Sequence, residues 1–274
     1  MSQECNHDCA SCGKSCGERK EKPDLKAPPN PKAHVRKVIA VASGKGGVGK
    51  SLVASMLATL AAHRGLRTAI LDADITGPSI PTAFGIDQSI QGEEHSLVPA
   101  QSRGGVKVMS LNLLLEDPAA PVVWRGPIIA GVVKQFWSDV AWGDVDVLFV
   151  DMPPGTGDVP LTVFQSLPVD GVVIVTSPQQ LVGLIVEKAV NMAEMMGVPV
   201  LGIVENMSVF KCPECGAVHR VFGEGGVDDF ANRRGIDVVC RLPIDPSFAA
   251  AADAGRIDEA DCAALAPLLD RIAQ

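Results

Sequence analysis

Between an apolar run at residues 38–42 and a helix-forming stretch at 52–63 lies Gly44-Lys45-Gly46-Gly47-Val48-Gly49-Lys50-Ser51, and nothing else in the chain restricts its fold as strongly. Glycines at this spacing permit a tight loop whose backbone N–H groups converge on phosphate oxygens, and the helix that follows adds the positive end of its dipole. Lys50 is placed to reach the β- and γ-phosphates, and Ser51 to bind Mg²⁺ through its hydroxyl. The expected phosphate cradle is therefore Gly44, Gly46, Gly47, Val48, Gly49, Lys50 and Ser51, with Leu52 opening the helix.

The rest of the body suits such a loop. From Val38 onward the runs VIAVAS, RTAILD, VKVMSL, VDVLFVD, GVVIVTS, PVLGIVEN and DVVCRL alternate with helical patterns. Continuous apolar strands separated by helices predict a mostly parallel sheet covered on both faces, so a doubly wound α/β domain of the P-loop NTPase type is expected over residues 36–274. Ahead of it, residues 20–35 hold Pro23, Pro28, Pro29 and Pro31 among charges and read as a semi-extended linker, behind a Cys-rich arm at 1–19.

Two further segments fit a nucleotide site. Asp72 and Asp74 follow the second apolar run, and Asp151 closes VDVLFVD in the position of a Walker B carboxylate that holds Mg²⁺. Gly155, in the loop after Asp151, is placed to offer its N–H to the γ-phosphate and to move when that phosphate leaves. The base is expected at the carboxyl ends of the later strands, where the Asn206 amide pairs with an adenine edge and Pro243 and Asp245 follow the last strand.

The eight Cys form three sets. Cys240 lies in an apolar run and Cys262 in an Ala-rich stretch, where buried thiols are expected. Cys212-Pro213-Glu214-Cys215-Gly216 has the two-residue spacing that puts both sulfurs on one side of a tight turn, ready for one metal or one cluster edge. Two thiolates fall short of the usual four. Either His219 and Cys240 complete a zinc site within the chain, or a second chain contributes the same pair about a two-fold axis. Cys5, Cys9, Cys12 and Cys16 are a separate set for a second cluster, for zinc or for a thiol-rich transfer arm.

Lys45 adds a second cation to the loop, which resembles the deviant Walker A motif of the dimeric ATPases that include nitrogenase iron protein and the Min and Par proteins. That resemblance implies a lysine reaching the partner's nucleotide, Asp74 orienting the attacking water, Asp72 supporting Mg²⁺, and ATP rather than GTP. With DADITGPSIP, DMPPGTGD, GIVENMS and CPECG in order across residues 36–250, the chain resembles the Mrp/Nbp35 (ApbC/Ind1) family of iron–sulfur cluster carrier ATPases. Thr76 stands where many relatives carry Tyr, and the N-terminal Cys are more closely spaced than in eukaryotic Nbp35 proteins. The family implies a homodimer with a four-iron, four-sulfur cluster (4Fe–4S) bridged by Cys212 and Cys215 of each protomer. It further implies weak ATP hydrolysis, Mg²⁺ as cofactor, and delivery to apo iron–sulfur proteins alongside the cluster-assembly machinery.

Charge narrows the alternatives. Residues 1–37 carry eight Lys/Arg against five Asp/Glu, leaving 16 against 27 for the rest. An acidic body argues against nucleic-acid and anionic-membrane partners, and so against a Min/Par-like positioning ATPase. A zinc metallochaperone NTPase remains the other alternative. With no long apolar span and a polar first 20 residues, the chain is expected to be cytoplasmic.

Overall fold

The computed structural model describes residues 25–74, 79–88, 90–93, 96–115, 126–179 and 182–274. Cys5, Cys9, Cys12, Cys16 and Thr76 lie outside the described residues.

The main sheet contains β1 (Val38–Ser43), β2 (Thr68–Asp72), β3 (Ala100–Gln101), β4 (Lys107–Met109), β5 (Val147–Asp151), β6 (Gly171–Thr176), β7 (Val200–Glu205) and, after the short hairpin strands β8 (Phe210–Lys211) and β9 (Val218–His219), β10 (Val239–Arg241). Its eight strands run in the order β10-β7-β6-β1-β5-β2-β4-β3. Neighbours are parallel except β3 and β4, an antiparallel pair at the edge whose outer strand β3 is too short to show in the pattern. Each of the seven expected apolar runs supplies a strand of this sheet.

Helices cover both faces. α1 (Lys50–His63) and α7 (Ala266–Ala273) lie on one side, where Val53, Leu57 and Leu268 meet Ile39, Val41, Ile70 and Phe149. α2 (Gly126–Ser138), α3 (Asp158–Ser166), α4 (Val182–Met195) and α5 (Val227–Arg234) lie on the other. There Phe136, Phe164, Val190 and Phe230 meet Ala40, Leu71, Leu148 and Ile174. Odd and even residues of one strand thus enter opposite cores, which is why β1, β2, β5 and β6 are buried throughout and mostly apolar, with polar residues confined to their ends. A last helix, α6 (Pro246–Asp253), follows β10.

The linker expected over 20–35 differs from the structure in its second half. Ala27 is buried, its N–H donating to Ser166 O at 2.8 Å while its carbonyl accepts from Trp137 Nε1 at 3.0 Å. Residues Ala33–Val35 then pair in parallel with Gly143–Val145. Main-chain bonds and single apolar anchors hold this segment to the domain, and neither leaves a periodic signal in a proline-rich sequence.

Candidate functional site: a nucleotide loop and a cysteine hairpin

β1 lies between β6 and β5; α1 carries the chain from β1 to β2 over one face and α3 carries it from β5 to β6 over the other, which opens a crevice at the carboxyl end of β1. The glycine-rich loop fills that position. Gly49 caps α1 in the left-handed region (φ 80°, ψ 31°) without a side-chain bond, so the first-turn N–H groups face the loop as donors for an anion. A Cβ on Gly49 would stand 2.2 Å from Asn206 Nδ2, so both dihedral and clearance require glycine. Val48 is buried and Leu52 half-buried against the α1-side core, while Gly44 packs against Ile185 of α4.

Carboxylates from two chain segments meet at the loop. Lys50 Nζ lies 2.6 Å from Asp151 Oδ1 and 3.5 Å from Asp74 Oδ2, and Ser51 Oγ donates to Asp151 Oδ2 at 2.5 Å. Asp72 stands beside Asp151 in register across β2 and β5. It accepts from Ser110 Oγ at 3.0 Å and from the Asp74 N–H at 3.1 Å. Burial, then the Asp151 charge, push the Asp72 carboxyl well above the ordinary range; burial also raises Asp151, against the opposing pull of Lys50. This hydroxyl and carboxylate set has the hard oxygen chemistry that suits Mg²⁺.

The remaining expected residues spread around this centre. Lys45 Nζ donates to Gln179 Oε1 within the chain, and Ser43 Oγ donates to the Lys45 carbonyl at 3.0 Å. The Gly155 N–H, expected to face phosphate, donates to Ser43 O at 2.8 Å. Asn206, expected at the base, is buried under the loop: Nδ2 donates to Val48 O at 2.9 Å, and Oδ1 accepts from the Met207 N–H at 2.9 Å. Asp245 caps α6 by accepting from the Ser247 N–H at 2.8 Å, and Pro243 lines the same cleft of about 600 Å³ with Phe248 and Arg256. Gly46 and Gly47 are exposed at the loop's crest.

Cys212 and Cys215 sit on the turn between the antiparallel strands β8 and β9. The Cys212 N–H donates to Ala217 O, and the Gly216 N–H returns to Cys212 O, each at 2.9 Å. Cys215 is exposed and Cys212 partly so. The backbone N–H groups of Cys215 and Glu214, then the Cys215 thiol, lower the Cys212 pKa by stabilising its thiolate. Cys240 and Cys262 are buried thiols, as expected, with burial pushing Cys262 up to about 12. His219 stacks obliquely on Phe210 within the hairpin, whereas Cys240 lies in the α1-side core. Among the described residues no three His, Cys, Asp or Glu side chains converge to hold a metal, so the zinc site built from His219 and Cys240 does not form there.

Ser110 and Gln179 escaped sequence reasoning. Ser110 follows β4, and its place opposite Asp72 emerges only from the β2–β4 register, in which Leu71 pairs with Met109. Gln179 is 134 positions from Lys45, with no local signal to join them.

A doubly wound sheet with a glycine-rich loop at its switch point and convergent carboxylates defines a P-loop NTPase. The model of the NUBPL iron-transfer P-loop NTPase family matches residues 34–274, and the chain belongs to that family. It is 41% identical over 262 residues to an iron-sulfur cluster carrier protein of Methanococcus maripaludis, covering 93% of this chain and 90% of the relative. A carrier of the same name from Pseudomonas fragi is 46% identical over 227 residues, covering 82% and 78%. Among solved structures, a nucleotide-binding protein from Archaeoglobus fulgidus in complex with ADP superposes with a TM-score of 0.74 at 44% identity, covering 82% of this chain and 88% of the other. The septum site-determining protein MinD of Pyrococcus horikoshii, at 17% identity and a TM-score of 0.56 over 88% and 95% of the two chains, shares the fold. No described helix is long and apolar enough to cross a membrane.

Proposed function

We propose that this protein is an ATP-dependent iron–sulfur carrier that binds a 4Fe–4S cluster across a homodimer and delivers it to apo iron–sulfur proteins in the cytoplasm. The observation that carries the reading is the cysteine hairpin. It presents two closely spaced sulfurs at the surface, one with a stabilised thiolate, and no third ligand converges on them among the described residues. Two thiolates from each of two equivalent chains complete a four-iron cluster without another ligand type. Relatives named as iron–sulfur carriers support the cargo.

ATP is the nucleotide in this reading, with the glycine-rich loop and Lys50 holding its phosphates. Ser51 and Asp151 hold Mg²⁺, which neutralises phosphate charge when bound. Asp74 orients the attacking water, and Lys45 leaves Gln179 to reach the partner's nucleotide as a cation supplied in trans. Gly155 exchanges its bond to the Ser43 carbonyl for one to the γ-phosphate. Slow hydrolysis fits a protein whose nucleotide cycle times cargo release. The N-terminal Cys set is assigned a second cluster.

Anaerobic purification with absorbance, iron and acid-labile sulfide analysis tests the proposal. The dimer should be coloured, and Cys212→Ala or Cys215→Ala should lose the bridging cluster and weaken dimerisation. A colourless dimer that holds zinc and resists reconstitution overturns it.

A further inference from the structure

We infer that the cleft beside α5 is a docking face for a second copy of this chain, on which Asp229 of each copy meets Arg233 of the partner subunit about a two-fold axis. The inference rests on the proposed homodimeric carrier and assigns that dimer a protein contact besides its cluster. The cleft has a volume of about 510 Å³ and an apolar floor made by Val186 of α4 with Val227 and Phe230 of α5. Gln179, which holds Lys45, lines it too, and so does Phe222, seven positions beyond Cys215. The two features that the proposed dimer turns toward the partner, the loop lysine and the cysteine pair, are thus joined to one cleft. Val218, Val221 and Phe222 are all exposed along the chain that leads to it, and apolar side chains gathered at a surface mark a contact site.

The charges on α5 indicate what covers the cleft. Asp228 is held by Arg241 at 2.6 Å, and Arg234 by Glu187 at 2.9 Å and Glu194 at 3.4 Å. Glu224, on the cleft rim, is engaged by Arg220 at 2.7 Å. Asp229 and Arg233 also line the cleft, one helical turn apart and exposed, yet neither forms an ion pair among the described residues. Opposite charges side by side on one helix give no preference for an acidic or a basic partner. They match a copy of themselves, because a two-fold axis crossing α5 between them sets each against its opposite in the second chain. Each body is acidic overall, so two copies repel at a distance, and a locally neutral face is one on which they can meet. The arrangement has the anatomy of a protein interface, an apolar centre inside a polar rim whose charges fix register more than affinity.

The test uses the full chain without cluster, in saturating ATP and Mg²⁺, with the dimer dissociation constant measured by sedimentation velocity. Asp229→Arg and Arg233→Asp each set like charges against one another at two places and should weaken the dimer by about tenfold or more. The double variant Asp229→Arg/Arg233→Asp restores both pairs with their signs exchanged and should return to within about threefold of wild type. Phe222→Ser, which removes apolar surface beside the cleft floor, should weaken the dimer by about fivefold or more. Melting curves confirm that each variant folds, and the rescue separates a contact from a disturbed helix, because the double variant carries both changes to α5. A wild type that stays monomeric under these conditions overturns the inference, as do single reversals that leave the constant unchanged or a double variant no better than the singles. So does a reversal that spares the dimer but slows cluster transfer to an apo iron–sulfur protein, since the face then belongs to the recipient. The iron and sulfide content of the wild type decides the carrier function separately, whichever way the dimer responds.

Discussion

Asp72 and Asp151 stand side by side in register on adjacent parallel strands, both carboxylates fully buried, with the Lys50 ammonium 2.6 Å from Asp151. One cation faces more negative charge than it balances, a bias that favours Mg²⁺ and burdens the nucleotide-free fold. Burial and the Asp151 charge raise the Asp72 pKa, so between the unfolded value and that raised value the folded state holds more protons than the unfolded one. Stability should therefore decrease as pH rises through this window. Asp72→Asn keeps an acceptor for the Asp74 N–H and removes the charge. It should stabilise the nucleotide-free protein by on the order of 1 kcal/mol at pH 7, with the gain shrinking toward pH 4. Denaturant titrations at several pH values check both size and slope.

Lys50 is the cation within salt-bridge distance of both Asp151 and Asp74 and is itself buried. Removing one partner of a buried pair leaves the other desolvated without compensation, so Lys50→Met should cost on the order of 3 kcal/mol in the nucleotide-free protein. ATP hydrolysis should also fall by about 100-fold or more, because charge stabilisation at the phosphates is lost. Hydrolysis assays at saturating ATP beside unfolding curves separate the two effects. Wild-type hydrolysis in a folded Lys50→Met protein would remove Lys50 from the site.

How much of this was legible in the sequence depends on whether the relevant contact was local. The glycine-rich loop, Asp151 and the Cys pair are defined within a few residues, and each lies on the element that its pattern implies. Asn206 was visible as a strand-end amide, but its bond to Val48 spans 158 positions and follows from the placement of β7 relative to β1, which periodicity does not encode. The same holds for Ser110 on Asp72. Residues 27–35 misled for another reason: prolines and charges signal an open chain, yet a few main-chain bonds and one buried alanine suffice to dock it.

Thr176 ends β6 fully buried, and its hydroxyl finds no partner among the described residues. A buried hydroxyl without a hydrogen bond contributes a desolvation cost and no return, whereas valine has nearly the same shape and suits a central strand. Thr176→Val should leave stability unchanged or raise it by about 1 kcal/mol. Urea unfolding checks this. A clear loss would mean that the hydroxyl is satisfied by an ordered water or ligand at the loop.

Arg67 and Asp146 join the starts of β2 and β5 where those strands enter the sheet. Asp146 accepts from the Arg67 N–H at 2.9 Å, from Nε at 3.0 Å and from Nη2 at 2.7 Å, and these bonds lower its pKa from the ordinary 3.8 to about 2. A depressed carboxylate contributes stability that is fully present above the unfolded pKa and fades as pH falls through the folded one. The pair is largely solvent-facing, so its share is small and sensitive to salt. Asp146→Asn should lower the melting temperature slightly at pH 7, and the gap from wild type should narrow as pH falls from 3.8 toward about 2. Added salt should narrow it at neutral pH as well, although less completely, since the bond to the Arg67 backbone survives screening. A gap that stays constant with pH would place the effect of Asp146 in packing rather than in its charge.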